Sequence, residues 1–327
     1  MKNHHHWLAL TSVLAGAALL PATGFAQVAA DYPAKPVRLL LTSAPGGGMD
    51  VQGRLFTTKL SERLGRQFIV DNRPAGFIAY QMAAKGAPDG YTLLAVPPSF
   101  AFSPALYKNF PVDPIKDFTP ISLVSRAPYL LVVNASLPAK SVKELIALAK
   151  AQPGKLNFGA GNPGSGTHLI NAWFIQAANI NAVYIPYKGT GPALLDLVGG
   201  QIHAAITNIL SSMPHVKTGK LRALGISFAE RSKVFPDLPT IAEQGLPGYN
   251  TSTYHGWLAP AGTPAAIVNK LSQEIARVAN SPEVASSLAT DGGEPYGSTP
   301  EQFRRLLTTE VPFWHKLIKD LAIEVQE

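Results

Sequence analysis

Two glycine-rich turns carry most of the chemistry this chain can offer. Thr42-Ser43-Ala44-Pro45-Gly46-Gly47-Gly48 follows an apolar run and precedes a helical pattern. The stretch from Gly159 to Thr167 repeats the arrangement, with Gly161, Gly164, Ser165, Gly166 and Thr167 leading to His168. Such a turn takes a strand into a helix and leaves backbone N–H groups at the positive end of the helix dipole, where an anion can sit. A side chain at Gly47 or Gly164 would hold a ligand off the backbone or strain a left-handed conformation. Either turn alone is equally well explained by the geometry of a tight connection. One in each half of the chain points to two opposed cradles closing on a single carboxylate.

Other residues stand near these turns in the pattern. Asp50 begins the first helical stretch, where an acidic residue suits the dipole. Tyr187 and Lys188 follow one short apolar run, and Asn208 and Ser211 follow another. Lys188 is either an anion contact or a solvated charge. Tyr254, His255 and Trp257 fall where the chain returns toward its first unit, as hinge packing or as pocket wall.

The signatures of catalysis fail in turn. G-x-x-x-x-G-K-[ST] and H-E-x-x-H are absent. Ser165 lies between glycines, but a nucleophile elbow needs glycine at 163 and 167, where Pro163 and Thr167 stand. A hydrolase built on Ser165, His168 and Asp50 is thus a remote alternative. The histidines past the leader (His168, His203, His215, His255, His315) have no metal spacing. No cofactor and no metal are expected. The chain has no cysteine, which excludes disulfides, thiolate chemistry and a lipid anchor on cysteine.

These turns need rigid elements behind them. Val37 to Thr42 reads as a buried strand. Leu55, Phe56, Leu60 and Leu64 mark a helix face that Gly65 stops. Phe68 to Val70 and Tyr91 to Val96 complete β-α-β-α-β. A second unit opens near Pro128, with a strand from Tyr129 to Val133. A capping box follows at Ser141-Val142-Lys143-Glu144, and then strands at 156–159, 183–186 and 203–207. The last third reads as helical. Thr263-Pro264 starts one helix with proline at its first position, and Thr299-Pro300-Glu301-Gln302 caps another. The fold class is α/β, in two domains that each hold a mostly parallel sheet flanked by helices. The expected division is residues 32–128 plus 254–327 against 129–253.

The first 26 residues read as a signal peptide: Lys2, an uncharged apolar run from Trp7 to Leu20, Pro21, and small residues at Gly24 and Ala26. A second cut is possible after Ala30. The formal charge is +7 over 327 residues, and the leader removes only Lys2. A positive field suits an anionic ligand, though many exported proteins are basic for solubility alone. No basic run interleaved with aromatics occurs, so nucleic acid is not a partner.

Short motifs in a fixed order tie the chain to a known family. They are Ala44-Pro45-Gly46-Gly47-Gly48-Met49-Asp50, Asp71-Asn72-Arg73-Pro74, Pro88-Asp89-Gly90-Tyr91-Thr92-Leu93-Leu94, Pro186-Tyr187-Lys188-Gly189, and Ala259-Pro260-Ala261-Gly262-Thr263-Pro264. With them the chain resembles the periplasmic binding proteins of tripartite tricarboxylate transporters, the Bordetella uptake gene (Bug) receptors. The resemblance implies a Venus-flytrap fold with no enzymatic activity. It implies a small mono-, di- or tricarboxylate held by backbone amides and bridging waters from Ser43–Gly48 and Gly161–His168, with Tyr187 and Lys188 nearby. The implied partners are membrane permease subunits, or alternatively the periplasmic domain of a sensor kinase. The receptor itself is expected to be a soluble monomer in the periplasm.

Two departures stand out. Only Ala75-Gly76-Phe77 follows Pro74, where the family usually carries a longer glycine-rich stretch. Asn208 stands where many members have Asp, which disfavours a ligand ammonium group. N-terminal sequencing of a periplasmic extract should return Gln27 or Asp31 as the first residue. Recovery in the membrane fraction with Met1 intact would refute the leader.

Overall fold

The computed structural model describes residues 31–324 and residue 326, and the expected signal peptide lies outside them. Apolar runs of β-branched and leucine residues make the strands, and glycine-punctuated amphipathic stretches make the helices. The first unit runs β1 (Val37–Leu41), α1 (Gly48–Leu64), β2 (Phe68–Asn72), α2 (Ile78–Ala84), β3 (Thr92–Val96) and α3 (Ser99–Leu106). Gly65 ends α1 in the left-handed conformation, at φ 65°, as its position in the sequence requires. Strands β2, β1 and β3 pair in parallel.

The chain then enters β4 (Phe118–Asn134), a single strand of 17 residues. The strand runs through Pro128 without interruption, and its pairing passes from one sheet to the other there. Its first part pairs antiparallel with β9 (Ser252–Pro260), down to Pro128 against Ser252. Its second part pairs with β7 (Ala204–Asn208) and β8 (Leu221–Ile226). One strand thus belongs to both sheets. Between lie α4 (Val142–Ala151), β5 (Asn157–Ala160), α5 (Gly166–Ala177), β6 (Val183–Pro186), α6 (Thr190–Val198) and α7 (Ile209–Lys217). The order across the whole is β2-β1-β3-β9-β4-β7-β5-β6.

The last third is less helical than its sequence reads, because β9 opens it and crosses back beside β4. Then come α8 (Ala265–Ala279), α9 (Pro282–Thr290), the short β10 (Glu294–Pro295) on the edge of β4, and α10 (Pro300–Asp320). Pro264 is the residue before α8 rather than its first residue. The box at Thr299 and Gln302 forms with both reciprocal bonds. At Ser141 it is offset. Its hydroxyl accepts from Glu144 N, while the Glu144 carboxylate reaches one residue further back, to Lys140 N, at 2.7 Å.

Each sheet buries both faces. In the first, Leu39, Leu41 and Phe56 pack with the α8 stripe of Ile267, Leu271 and Ile275, all essentially sealed from solvent. Each such side chain contributes about 1.5–3 kcal/mol by burial. The opposite face holds Leu40, Phe100, Tyr254 and Phe303. In the second sheet one face gathers Leu130, Leu194 and Ile226. The other gathers Phe158, Leu169 and Phe174, and adds Phe102 of α3 with Trp314, Leu317 and Ile318 of α10. The end of α10 therefore reaches the second unit, where Phe313 and Trp314 meet the Trp173 ring at 4.8 and 5.9 Å.

Glu310 sits on α10 where it passes the crossing strands, and its carboxylate accepts from Tyr254 Oη at 2.9 Å. Burial pushes this carboxyl up to about 7, against which the Tyr254 bond works only in part. Between the ordinary value and 7 the folded state holds a proton that the unfolded chain has lost, so stability falls as pH rises through that window. Glu310→Gln should accordingly melt higher than the native chain at pH 8, by roughly 1–3 kcal/mol, and show no such gain at pH 4.5. Parallel melting curves at both pH values check this.

Candidate functional site

The carboxyl ends of β1, β5 and β7 all point toward the junction of the two sheets, where ligands of open α/β folds bind. Each of these strands turns there into a helix. The α1 start is the first glycine-rich turn. Gly47 precedes the helix in an extended conformation and supplies no side-chain cap. The N–H groups of Gly48, Met49 and Asp50 have no protein acceptor, as the first turn of a helix requires unless something caps it.

Asp50 does not fill that gap. Its carboxylate turns back to accept from Gly46 N at 2.9 Å, Arg54 Nε at 3.0 Å and Asn72 Nδ2 at 2.9 Å. The Arg54 bond, then the Gly46 and Asn72 bonds, hold its carboxyl down at about 2 against the opposing pull of burial. Asn72 also donates to Ser43 O at 3.0 Å. Asp50 is thus the clasp of the turn. Within the turn Gly46, at φ 83°, is the left-handed residue, whereas Gly47 has φ −72°. Of the two expectations for Gly47, strain therefore falls at Gly46 instead, and the blocking of close approach is the one left for Gly47. Ser43 Oγ is sealed from solvent and has no hydrogen-bond partner.

The second turn is organised by its own side chains. Gly161 N donates to Thr167 Oγ1 and Gly164 N to His168 Nδ1, each at 3.0 Å. Ser165 caps α5 by accepting from His168 N. The His168 ring stacks on Tyr184 at 4.1 Å, and burial lowers its pKa. Only the N–H groups of Gly166 and Thr167 remain unpartnered in the first turn of α5. Gly166 faces the ring of Phe102 and the hydroxyl of Tyr129, and Gly164, at φ 79°, faces Leu106. This turn therefore lies against α3.

A cavity of about 360 Å³ opens on the other side, between the crossing strands and the starts of α1 and α7. Gly48 and Gln52 line it from α1, Ser125 and Arg126 from β4, and His255 from β9. The segment from Asn208 to Ser211 faces them across it. Asn208 precedes α7 without a side-chain cap, and the N–H groups of Ile209, Leu210 and Ser211 have no protein acceptor. Two uncapped helix starts from the two sheets thus meet at one cavity.

Of the residues singled out from sequence, Gly48, Asn208, Ser211, Tyr254 and His255 line this cavity, Trp257 packs in the core instead, and Ser43, Ala44, Gly46, Gly47 and Asp50 build the turn beside it. None of Gly161 to His168 lines it. Tyr187 turns away, its hydroxyl donating to Asp196 on α6 at 2.7 Å. Lys188 is exposed. Sequence reading missed Gln52, Ser125 and Arg126 altogether. No motif marks them, since they come together only through the pairing of β4 with β9. Among the described residues no cluster of metal-binding side chains occurs, and no helix is long and apolar enough to cross a membrane.

The sequence pattern of the tripartite tricarboxylate transporter family receptor matches residues 53–323. BugT of Bordetella pertussis is 36% identical over 92% of this chain and 94% of its own. A protein from the tcbD–tcbE intergenic region of Pseudomonas sp. strain P51 is 33% identical over 96% and 95%. Among solved structures, Rpa4515 of R. palustris with adipate is 36% identical, with TM-score 0.69 over 90% of this chain and 100% of its own. MatC of Rhodopseudomonas palustris with bound malate is 30% identical, with TM-score 0.65 over 88% and 100%. A TctC solute-binding protein from Polaromonas without ligand is 28% identical, with TM-score 0.82 over 88% and 99%. The chain belongs to the tripartite tricarboxylate transporter receptor family, whose members are substrate-binding receptors of two-domain α/β fold and not enzymes.

Proposed function

We propose that this protein is a soluble periplasmic receptor that closes on a small carboxylate and presents it to the permease subunits of a tripartite transporter. The observation that carries the reading is the pair of uncapped helix starts, α1 and α7, facing one cavity from two sheets. Their amides are fixed donors for carboxylate oxygens. The α5 start carries two more open amides, those of Gly166 and Thr167, which do not line the cavity in this conformation and in this reading join the ligand on closure. Adipate and malate in two related structures support the ligand class.

The moving parts in this reading are residues 32–128 with 254–327, and residues 129–253. They turn about β4 and β9, with the end of α10 as a second bridge. The higher TM-score to the ligand-free relative, at lower identity than to the two liganded ones, supports reading this conformation as the open one. A saturating carboxylate should therefore reduce the radius of gyration in solution scattering. An unchanged profile would count against closure.

Proline scanning tests the amides directly. Gly48 and Gly166 are the first residues of their helices, each preceded by an extended residue and with no atom within 3.4 Å of an added Cβ. Proline is tolerated at that position and removes only the N–H. Gly48→Pro and Gly166→Pro should each weaken carboxylate binding by roughly 10- to 100-fold, the worth of one charge-assisted hydrogen bond, at unchanged melting temperature. Gly48→Ala keeps the N–H and should lose far less, as should Lys188→Ala at an exposed position. Titration calorimetry across a panel of carboxylates reads all four. Full affinity in both proline variants would sink the amide cradle.

A further inference from the structure

The cavity has a side-chain wall that the helix amides do not use. Gln52 Oε1 accepts from Ser125 Oγ at 2.7 Å and lies 2.6 Å from His255 Nδ1. An amide oxygen cannot donate, so Nδ1 carries the proton of this ring. Nε2 of the neutral imidazole is then a bare acceptor, and it has no protein partner. Burial keeps the ring neutral, with its pKa lowered to about 4. The amide nitrogen of Gln52 also has no protein partner. The wall therefore offers a free acceptor beside a free donor.

The acceptor is the selective member, because it needs a ligand group that can donate. A carboxylate has only acceptors and would meet the Nε2 lone pair with its own. An ammonium has only donors, and it would share the cavity with the Arg126 guanidinium. Arg126 lies between the rings of Phe228 and Tyr296 at 4.5 and 4.6 Å, with Glu294 at 3.6 Å and its own Nε unpartnered. Asp291, the other charged group lining the cavity, is exposed to water. A hydroxyl can donate to His255 Nε2 without bringing a second positive charge, and since that lone pair points away from the Nδ1–Gln52 bond, the Gln52 amide nitrogen is left for a separate ligand oxygen. Gly48 and Gln52 lie four residues apart on α1, about 6 Å along its axis. A ligand carboxylate on the Gly48 amide would thus carry its hydroxyl within a few carbons.

We propose that Gln52 and His255 are specificity-determining residues of this site, selecting carboxylates that bear a hydroxyl group near the bound carboxylate. The inference rests on the carboxylate-receptor reading and narrows it to hydroxy acids. Gln52, Ser125 and His255 all belong to the first sheet and its helices, so the wall is formed before any closure.

Calorimetric titration of the mature protein with matched acids tests it. The probes are succinate, 2-hydroxysuccinate and 2-aminosuccinate, with adipate and 3-hydroxyadipate as a longer pair. In at least one series the hydroxy acid should bind about tenfold more tightly than its unsubstituted partner. His255→Phe, and independently Gln52→Leu, should bring that ratio to within about twofold, and either folded variant suffices for the test. Equal affinities in the native protein, a preference for the amino acid, or a hydroxyl preference that survives in the variants overturns the inference while leaving the receptor reading intact. Failure of the native protein to bind any of the five acids overturns the inference, and failure across the wider carboxylate panel as well overturns the receptor reading with it.

Discussion

The first N–H groups of an α-helix point along its axis and have no acceptor inside it. Three helices of this protein begin in that state around the junction of the sheets. α1 and α7 are preceded by Gly47 and Asn208, which make no side-chain cap, and α5 keeps two open amides beside its Ser165 cap. A cap contributes about 0.5–2 kcal/mol. The chain uses such caps elsewhere, with Ser141 on α4 and Thr299 on α10. Among the described residues, five other helices also start without a side-chain cap, so what sets α1 and α7 apart is that their open amides border one cavity, where a bound oxyanion would satisfy them.

An open helix start attracts anions only if nothing nearby cancels its partial charge. Asp50, in the first turn of α1, is the obvious threat. The structure disarms it by drawing the carboxylate onto Gly46 N, Arg54 and Asn72. The same bonds fix the shape of the turn, since Asn72 also holds Ser43 O. One acidic side chain therefore sets the path of the backbone and is neutralised in doing so. Because β1 and β2 pair in parallel from Val37 and Phe68 onward, Asn72 arrives beside Leu41 at the mouth of the turn. The register of two strands is thus a condition for the geometry of the cradle.

The glycine-rich turns, the β-α alternation and the helix stops were legible because each is a local signal. Gly65, Thr299 and the α8 stripe act within a few residues of themselves. The crossing strands were not legible in the same way. β4 carries Pro128, where the sequence reads as the opening of a second unit, yet the strand continues through it because neighbouring strands fix its path over 17 residues. β8 and the start of β9 lie among turn residues and show no long apolar run. The cavity wall follows from that gap. Gln52, Ser125 and His255 are 73 residues or more apart between α1 and its partners, and only the β4–β9 register brings them to hydrogen-bonding distance. Sequence reading located the amide donors and offered His255 as a wall, but missed Gln52 and Ser125, which stand against it.

Backbone amides bind any carboxylate of suitable size, so they cannot by themselves account for a choice among acids. That choice must fall to groups whose requirements one ligand meets and another does not. A buried acceptor left without a donor costs about 1–3 kcal/mol, which is five- to a hundredfold in affinity. The Gln52–His255 wall can impose such a cost because its members are locked to each other and to Ser125, and a locked group cannot turn away from a poor partner. Amides supplied by α7 belong to the other sheet and, on the proposed closure, would draw nearer to a ligand held by the first. Selection would then precede commitment: the wall of the first unit tests the ligand while the cleft is open, and the second unit adds its donors to whatever the wall has retained.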